Sequence, residues 1–181
     1  MNRPNLRFLL LFLLLVSLTG CRSSSQKRGE ALFSEGYKIS ERQIKYLNQY
    51  AREFGQIFTE QNRAQFPANR DSLNSRVQKI LPLMDESLRL GTEATEKIEE
   101  ASRLMSRVQD RKGVALIAAS FRKSVEIEQL FKQQALLLSD PTITDAKTFN
   151  EKFVHMNELV RQKQKEKDDQ FDEGKRLMLT K

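Results

Sequence analysis

The 181-residue sequence contains one histidine, one cysteine and no tryptophan, and its seven glycines stand singly. A closed zinc site needs about four ligands. Glu151 and His155, four residues apart on one helical face, would supply only two. The sequence also has no glycine-rich phosphate loop and no serine in a Gly-x-Ser-x-Gly turn. This inventory predicts that the protein is not an enzyme and uses no metal or cofactor.

A strong excess of one charge is also lacking, although charged residues are abundant. They make up 30% of the chain, above the roughly 25% usual for globular domains, and the formal net charge is +7. Residues 161–176 mix basic and acidic side chains almost evenly, which argues against a nucleic-acid-binding arm. The profile is typical of elongated, charge-covered helices. Its mild basic excess would favour anionic lipid or a cell-wall polymer as a partner rather than nucleic acid.

The amino-terminal segment has the organisation of an export signal. Arg3 and Arg7 precede an apolar run over residues 8–16, which is too short for the roughly 18 to 20 residues that a membrane span needs. The run leads to Leu18-Thr19-Gly20-Cys21, which resembles the lipobox of bacterial lipoproteins. That resemblance implies cleavage before Cys21, a diacylglycerol on its thiol and, in many Gram-negative bacteria, an acyl chain such as palmitate on the new amino group.

The resemblance also implies a location. In enteric bacteria an Asp after the lipidated Cys retains a lipoprotein at the inner membrane, and this chain has Arg22 there. We therefore expect an outer-membrane protein that faces the periplasm, whereas a Gram-positive source would place it on the outside of the only membrane. Because Cys21 is the only cysteine, lipidation would leave no thiol for a disulfide or a metal.

Three segments are predicted: a signal peptide over residues 1–20, a flexible lipid-anchored tether over 21–30, and a helical domain over 31–181. The tether is inferred from residues 22–29, which are rich in serine and have no apolar residue. In the domain, apolar residues recur every three or four positions. The stripes predict helices from Phe33 to before Pro67, over 73–108, over 114–138 and from Ala146 onward.

These stripes predict an all-α fold, either an antiparallel four-helix bundle or two extended helical hairpins that complete their core by oligomerising. We expect a turn near Gly113, with one continuous helix and a phase slip as the alternative, and a kink or a break at Pro82. The small residues Gly91, Ala94 and Ala101 would let a facing helix approach closely.

Two features suggest binding surfaces. Tyr46 and Tyr50 are predicted at the edge of the first helix stripe, where a phenol hydroxyl can stay in water, and would be the surface for a protein partner. Lys181 is similar to one feature of the murein lipoprotein, whose C-terminal lysine is joined to peptidoglycan. That resemblance implies a possible wall attachment at Lys181.

Three functions follow from these observations. The preferred one is a lipid-anchored, non-catalytic scaffold or adaptor of the cell envelope, which binds a protein partner or associates with itself. One alternative is a structural tether to peptidoglycan through Lys181. The other is a carrier or chaperone that holds a hydrophobic ligand or client in a gap between its helices.

Overall fold

The structure is a computed structural model that describes residues 24–179. It consists of long helices joined by short connections: α1 (Ser24–Ile57), α2 (Glu60–Ala64), α3 (Arg70–Leu104), α4 (Val108–Leu136), a 3-10 turn (Leu137–Ser139) and α5 (Ala146–Leu179). No strand occurs within residues 24–179, which confirms the all-α prediction. Across the same range, no helix combines the length and the hydropathy that a bilayer crossing requires.

The four long helices form an antiparallel bundle. The most extensive interfaces join α1 to α3 and α4 to α5, and a third joins α3 to α4. Helix α1 also contacts α4, where the Tyr50 hydroxyl donates to the Phe131 carbonyl at 3.1 Å. It contacts α5 where the Phe54 and Phe153 ring centroids lie 6.2 Å apart. All four helices therefore share one bundle rather than forming two separate hairpins.

The bundle has two distinct ends. The Ser24 end holds the start of α1, the α3–α4 turn and the end of α5, and its buried cluster includes Leu32, Phe33 and Ile117. The Phe66 end holds the α1–α3 connection and the α4–α5 connection, and its buried cluster is larger. At the usual 1.5 Å per residue, the 34 residues of α1 separate these ends by about 50 Å.

Small residues allow α1 and α3 to approach closely, as predicted from Gly91, Ala94 and Ala101. A Cβ atom added to Gly91 would lie 2.5 Å from Gln43 Nε2 on α1. Both alanines are fully buried. Helix α1 contributes glycines of its own, since a Cβ on Gly36 would lie 3.0 Å from the Ala94 carbonyl oxygen.

The predicted turn near Gly113 is wrong, because the chain turns at residues 105–107 and Gly113 lies inside α4. This glycine serves helix packing: an added Cβ would lie 2.7 Å from the carbonyl oxygen of Gly174 on α5. The real turn has neither Gly nor Pro. It is held by Gln26 on α1, whose Oε1 accepts hydrogen bonds from the Ser106 backbone N–H at 2.7 Å and hydroxyl at 2.8 Å.

Pro82 does not break its helix, since α3 runs continuously from Arg70 to Leu104. The proline is exposed, so its ring projects from the bundle surface. Its neighbours Leu81 and Leu83 pack against the buried cluster of the Phe66 end. We attribute the continuity to this packing, which holds the helix on the core despite the hydrogen bond that proline removes.

The tether prediction for residues 21–30 does not hold from Ser24 onward, because α1 begins there. Gln26 is buried by its contacts with the α3–α4 turn, and Gly29 packs against the Ala101 carbonyl and Leu104. Polar and small side chains thus hold this segment on the bundle, although an apolar stripe is missing.

Candidate functional site

Five phenylalanines form a continuous aromatic cluster at the Phe66 end. Phe54 extends from α1 and Phe58 directly follows that helix, with ring centroids 4.3 Å apart. Phe149 and Phe153 extend from the first turns of α5, and Phe66 comes from the connection before α3. The Phe66 and Phe149 rings are stacked at 4.6 Å, and Phe58 lies 5.5 Å from Phe153. Three separate segments are therefore joined through ring contacts, which add to the gain from burial alone.

Two arginines lie over the faces of these rings. The guanidinium carbon of Arg63 lies 4.8 Å from the Phe153 ring centroid, and that of Arg70 lies 4.6 Å from the Phe66 centroid. A cation over an aromatic face is attracted by the electron-rich face of the ring. The aromatic cluster therefore holds two positive charges at the end of the bundle farthest from Ser24.

Neither arginine forms an ion pair within the described part of the chain. Arg63 donates to Asn150 Oδ1 at 3.3 Å, and Arg70 donates to the Ile143 carbonyl oxygen. The Nε atoms of both arginines are buried without a hydrogen-bond partner, which is an unfavourable arrangement for stability alone. The Phe66 end thus carries two guanidinium groups that form no ion pair within residues 24–179.

A second polar feature lies in the middle of the bundle, where Gln43, Ser87 and Glu128 meet. Each comes from a different long helix, and Glu128 is 1% exposed. Its carboxyl accepts hydrogen bonds from the Ser87 hydroxyl at 2.7 Å and from the Gln43 amide. Burial raises the pKa of Glu128 above its ordinary value, and the two hydrogen bonds oppose that shift only in part. We call these three residues the polar layer.

The polar layer is better suited to fixing helix register than to catalysis. A buried carboxyl of raised pKa is a common component of acid-base sites, but a reaction also needs substrate access. Here the partners are an amide and a hydroxyl, and all three side chains are buried. A buried polar group that finds its hydrogen-bond partners in only one alignment of the helices disfavours the other registers, as a buried Asn does in coiled coils.

The two tyrosines predicted as a partner surface have different environments. Tyr46 is 36% exposed, as expected for an edge residue. The prediction for Tyr50 is wrong, because this residue is 1% exposed and its hydroxyl is bonded to the Phe131 carbonyl. Burial also raises the pKa of Tyr50 well above its usual range. The helical phase points Tyr50 towards α4. Its hydroxyl donates a hydrogen bond to a carbonyl inside the bundle, whereas the sequence had predicted that the hydroxyl would be hydrated.

Glu151 and His155 lie on the exposed surface of α5. His155 Nδ1 lies 3.9 Å from Glu158 Oε2, and both side chains are largely exposed. No cluster of three or more His, Cys, Asp or Glu residues suited to a metal ion occurs within residues 24–179. Cys21 and Lys181 lie outside the described residues, so lipid attachment and wall attachment stay predictions.

No family model, curated protein or solved structure matches this chain. The features that stand out are therefore those of its own geometry, above all the arginine-bearing aromatic cluster at the Phe66 end. Phe54, Phe58, Phe149 and Phe153 belong to apolar stripes that the sequence displays, whereas Arg63 and Arg70 lie outside those stripes and were not predicted as site residues. A signal was present: residues 59–70 contain these two arginines and only one acidic residue, Glu60.

Proposed function

We propose that this protein is a lipid-anchored scaffold or adaptor of the bacterial cell envelope that binds a protein partner without catalysis. The lipobox resemblance at Cys21 would place the anchor on the outer membrane, facing the periplasm. One observation carries the proposal. Helix α1 begins three residues after Cys21 and continues for 34 residues, so a bundle anchored by a lipid on Cys21 has the length to present the Phe66 end up to about 50 Å from the membrane.

The Phe66 end is the surface that we assign to the partner. Arg63 and Arg70 supply positive charge without ion pairs in the described chain, and arginine is enriched where proteins recognise one another. The stacked rings beneath these arginines restrict their motion, which lowers the entropic cost of binding. A protein surface with exposed carboxylates would complement these two arginines.

The structure supports the scaffold better than the carrier alternative. A carrier needs a gap between helices, whereas apolar side chains from all four long helices pack against one another in the two buried clusters. An open depression on the surface is lined by Leu88, Arg89, Thr92, Glu93 and Glu96, all from α3. A depression on one helix does not enclose an apolar ligand.

The anchor is tested by replacing Cys21 with Ala in the full chain. We expect loss of metabolic labelling by palmitate and release from the membrane fraction, because the thiol that accepts the lipid is gone. Ser23→Ala is the matched control and should leave both readouts unchanged. Unaltered membrane association of the Cys21→Ala protein would refute the anchor.

The partner surface is tested by photo-cross-linking in cells. A photoreactive residue replaces Lys147 at the Phe66 end or, as a control, Glu96 in the last third of α3; both native side chains are exposed. Reproducible links from position 147, but not from position 96, to one foreign protein would support the adaptor. Links to copies of this chain alone would indicate a structural role through self-association.

A further inference from the structure

The Ser24 end combines exposed apolar side chains with basic ones. Val108, the first residue of α4, is 62% exposed, and Leu179, at the end of α5, is 54% exposed. These are the two largest exposures among the large hydrophobic residues of the described chain. Both belong to the same end, because α1 contacts the α3–α4 turn through Gln26 and a Cβ on Gly113 would meet Met178.

The charge at this turn is predominantly positive. Residues 103–112 contain four basic side chains and a single acidic one, Asp110. Asp110 pairs with Arg107 at 3.5 Å, and Arg111 donates to the Met105 carbonyl. Arg103 and Lys112 are exposed and form no ion pair within residues 24–179, and the same holds for Lys27 on α1. Basic side chains are therefore presented beside exposed Val108.

The length of the preceding chain indicates what this end faces. Ser24 is three positions after Cys21, and an extended chain spans at most about 3.6 Å per residue. A lipid on Cys21 would therefore hold the Ser24 end within about 11 Å of the membrane surface. Basic residues attract anionic head groups over such distances, and exposed apolar side chains insert at the boundary between head groups and acyl chains.

We propose that the Ser24 end is a second membrane-contact surface, in which Arg103, Lys112 and Val108 dock on anionic phospholipid. This inference rests on the proposed lipid anchor and adds an orientation to it. A lipid alone leaves the bundle free to tilt on the membrane, whereas a docked Ser24 end holds it upright with the Phe66 end pointing away. The contact is electrostatic in part, so it depends on anionic lipid and weakens with salt.

The test uses the full, lipidated chain reconstituted in vesicles that contain phosphatidylglycerol. Lipidation consumes the only native thiol, so one introduced cysteine can be labelled selectively with an environment-sensitive fluorophore. Gln109→Cys places the label beside Val108, and Thr144→Cys places it at the Phe66 end; both native residues are exposed. Quenching by nitroxide-bearing lipids then reports the proximity of each label to the bilayer, and vesicle flotation reports anchoring separately.

We expect the label at position 109 to be quenched and the label at position 144 to stay unquenched. Arg103→Glu combined with Lys112→Glu should abolish most of the quenching at 109 while the protein still floats with the vesicles. The matched control, Lys79→Glu with Lys147→Glu, makes the same change of charge away from the Ser24 end. This control should retain the quenching of the label at position 109. Circular dichroism confirms that both double variants stay helical.

Three results would overturn the proposal. Equal quenching at positions 109 and 144 in floating vesicles would remove the docking surface and leave the anchor intact. Unchanged quenching in vesicles of phosphatidylcholine alone would remove the requirement for anionic lipid. Failure of the wild-type protein to float would refute the anchor, and the docking surface that rests on it falls with it.

Discussion

The two ends of the bundle are packed in different ways. At the Phe66 end, phenyl rings from α1, α5 and the connection before α3 fill the space between the helices. At the Ser24 end, glycines bring the backbones together, and a Cβ on either Gly113 or Gly174 would lie 2.7 Å from the carbonyl oxygen of the other. One end depends on large side chains, whereas the other depends on the absence of a side chain.

The two ends should therefore respond to mutation in opposite ways. Removing volume leaves a cavity where rings fill the core, because the surrounding helices relax only in part. Adding volume forces the backbones apart where glycines meet, because a carbonyl group cannot rotate away as a flexible side chain does. Substitutions that add or remove a few atoms separate these two kinds of packing.

The largest effect is expected for Phe149→Ala at the Phe66 end. Phe149 is fully buried and its ring stacks on Phe66, so truncation should lower the free energy of unfolding by about 3 to 5 kcal/mol. Urea denaturation followed by circular dichroism measures the change. Val154→Ala, at a half-exposed position on the same helix, is the control and should stay within about 0.5 kcal/mol of wild type. Equal losses for the two variants would contradict the ring-packed core.

A smaller effect is expected for Gly113→Ala at the Ser24 end. Alanine is favoured over glycine in a helix by about 1 kcal/mol, yet here the new Cβ would meet the Gly174 carbonyl. We expect the free energy of unfolding to fall by about 1 to 3 kcal/mol in the same denaturation experiment.

Gly55→Ala is the matched control for that substitution, since no atom beyond the adjoining residues and backbone of its own helix lies within 4 Å of the added Cβ. Gly55 lies in α1, so we expect helix propensity alone to raise the free energy of unfolding by about 0.5 to 1 kcal/mol. A stabilising Gly113→Ala would show that the two helices do not cross as closely as the glycine pair indicates.

The smallest effect concerns the polar layer between the two ends. Burial raises the pKa of Glu128, so the folded state binds this proton more tightly than the unfolded state does. The resulting stability is fully present below the unfolded pKa, near 4.5, and is lost as the pH rises through the folded pKa. Glu128→Gln removes the titration while it keeps groups that can bond to Ser87 and Gln43. We expect a more stable variant at pH 8, and at pH 4 a stability within about 1 kcal/mol of wild type.

Comparing the stability of wild type and Glu128→Gln over a range of pH isolates the contribution of the Glu128 carboxyl. Other carboxyls titrate in both proteins, such as Asp140, whose pKa hydrogen bonds from Thr142 lower to about 2. Their contributions cancel in the difference between wild type and Glu128→Gln. A difference that stays constant from pH 4 to pH 8 would contradict a raised pKa at Glu128.

The helices themselves were predictable because each carries an apolar stripe that continues over many turns. The stripe in α5 lapses after Val160, and Phe171 and Met178 bring the helix back into contact with the core by packing on the Ser24-end cluster. The close approach of α1 and α3 was predictable from Gly91 and its alanines. These features depend on residues three, four or seven positions apart, which the sequence displays directly.

The errors arise where a distant residue decides the local structure. Gly113 has the local properties of a helix stop, but its place inside α4 depends on Gly174, 61 positions later. The turn at Ser106 depends on Gln26, 80 positions earlier. Arg63 and Arg70 were missed for the same reason, since Phe153 comes from α5 and Arg70 bonds to the Ile143 carbonyl. Such pairings are not visible in local periodicity.

The connectivity of the bundle has a consequence for how the chain folds. Because α1 packs mainly on α3 and α4 mainly on α5, most tertiary contacts join helices that follow one another in sequence. We expect topology of this kind to fold quickly, and a chain that emerges amino end first to complete the α1–α3 hairpin before α5 has been released. The late step is then the packing of two preformed hairpins against each other. In that step the Glu128 carboxyl is desolvated and accepts its hydrogen bonds from Ser87 and Gln43.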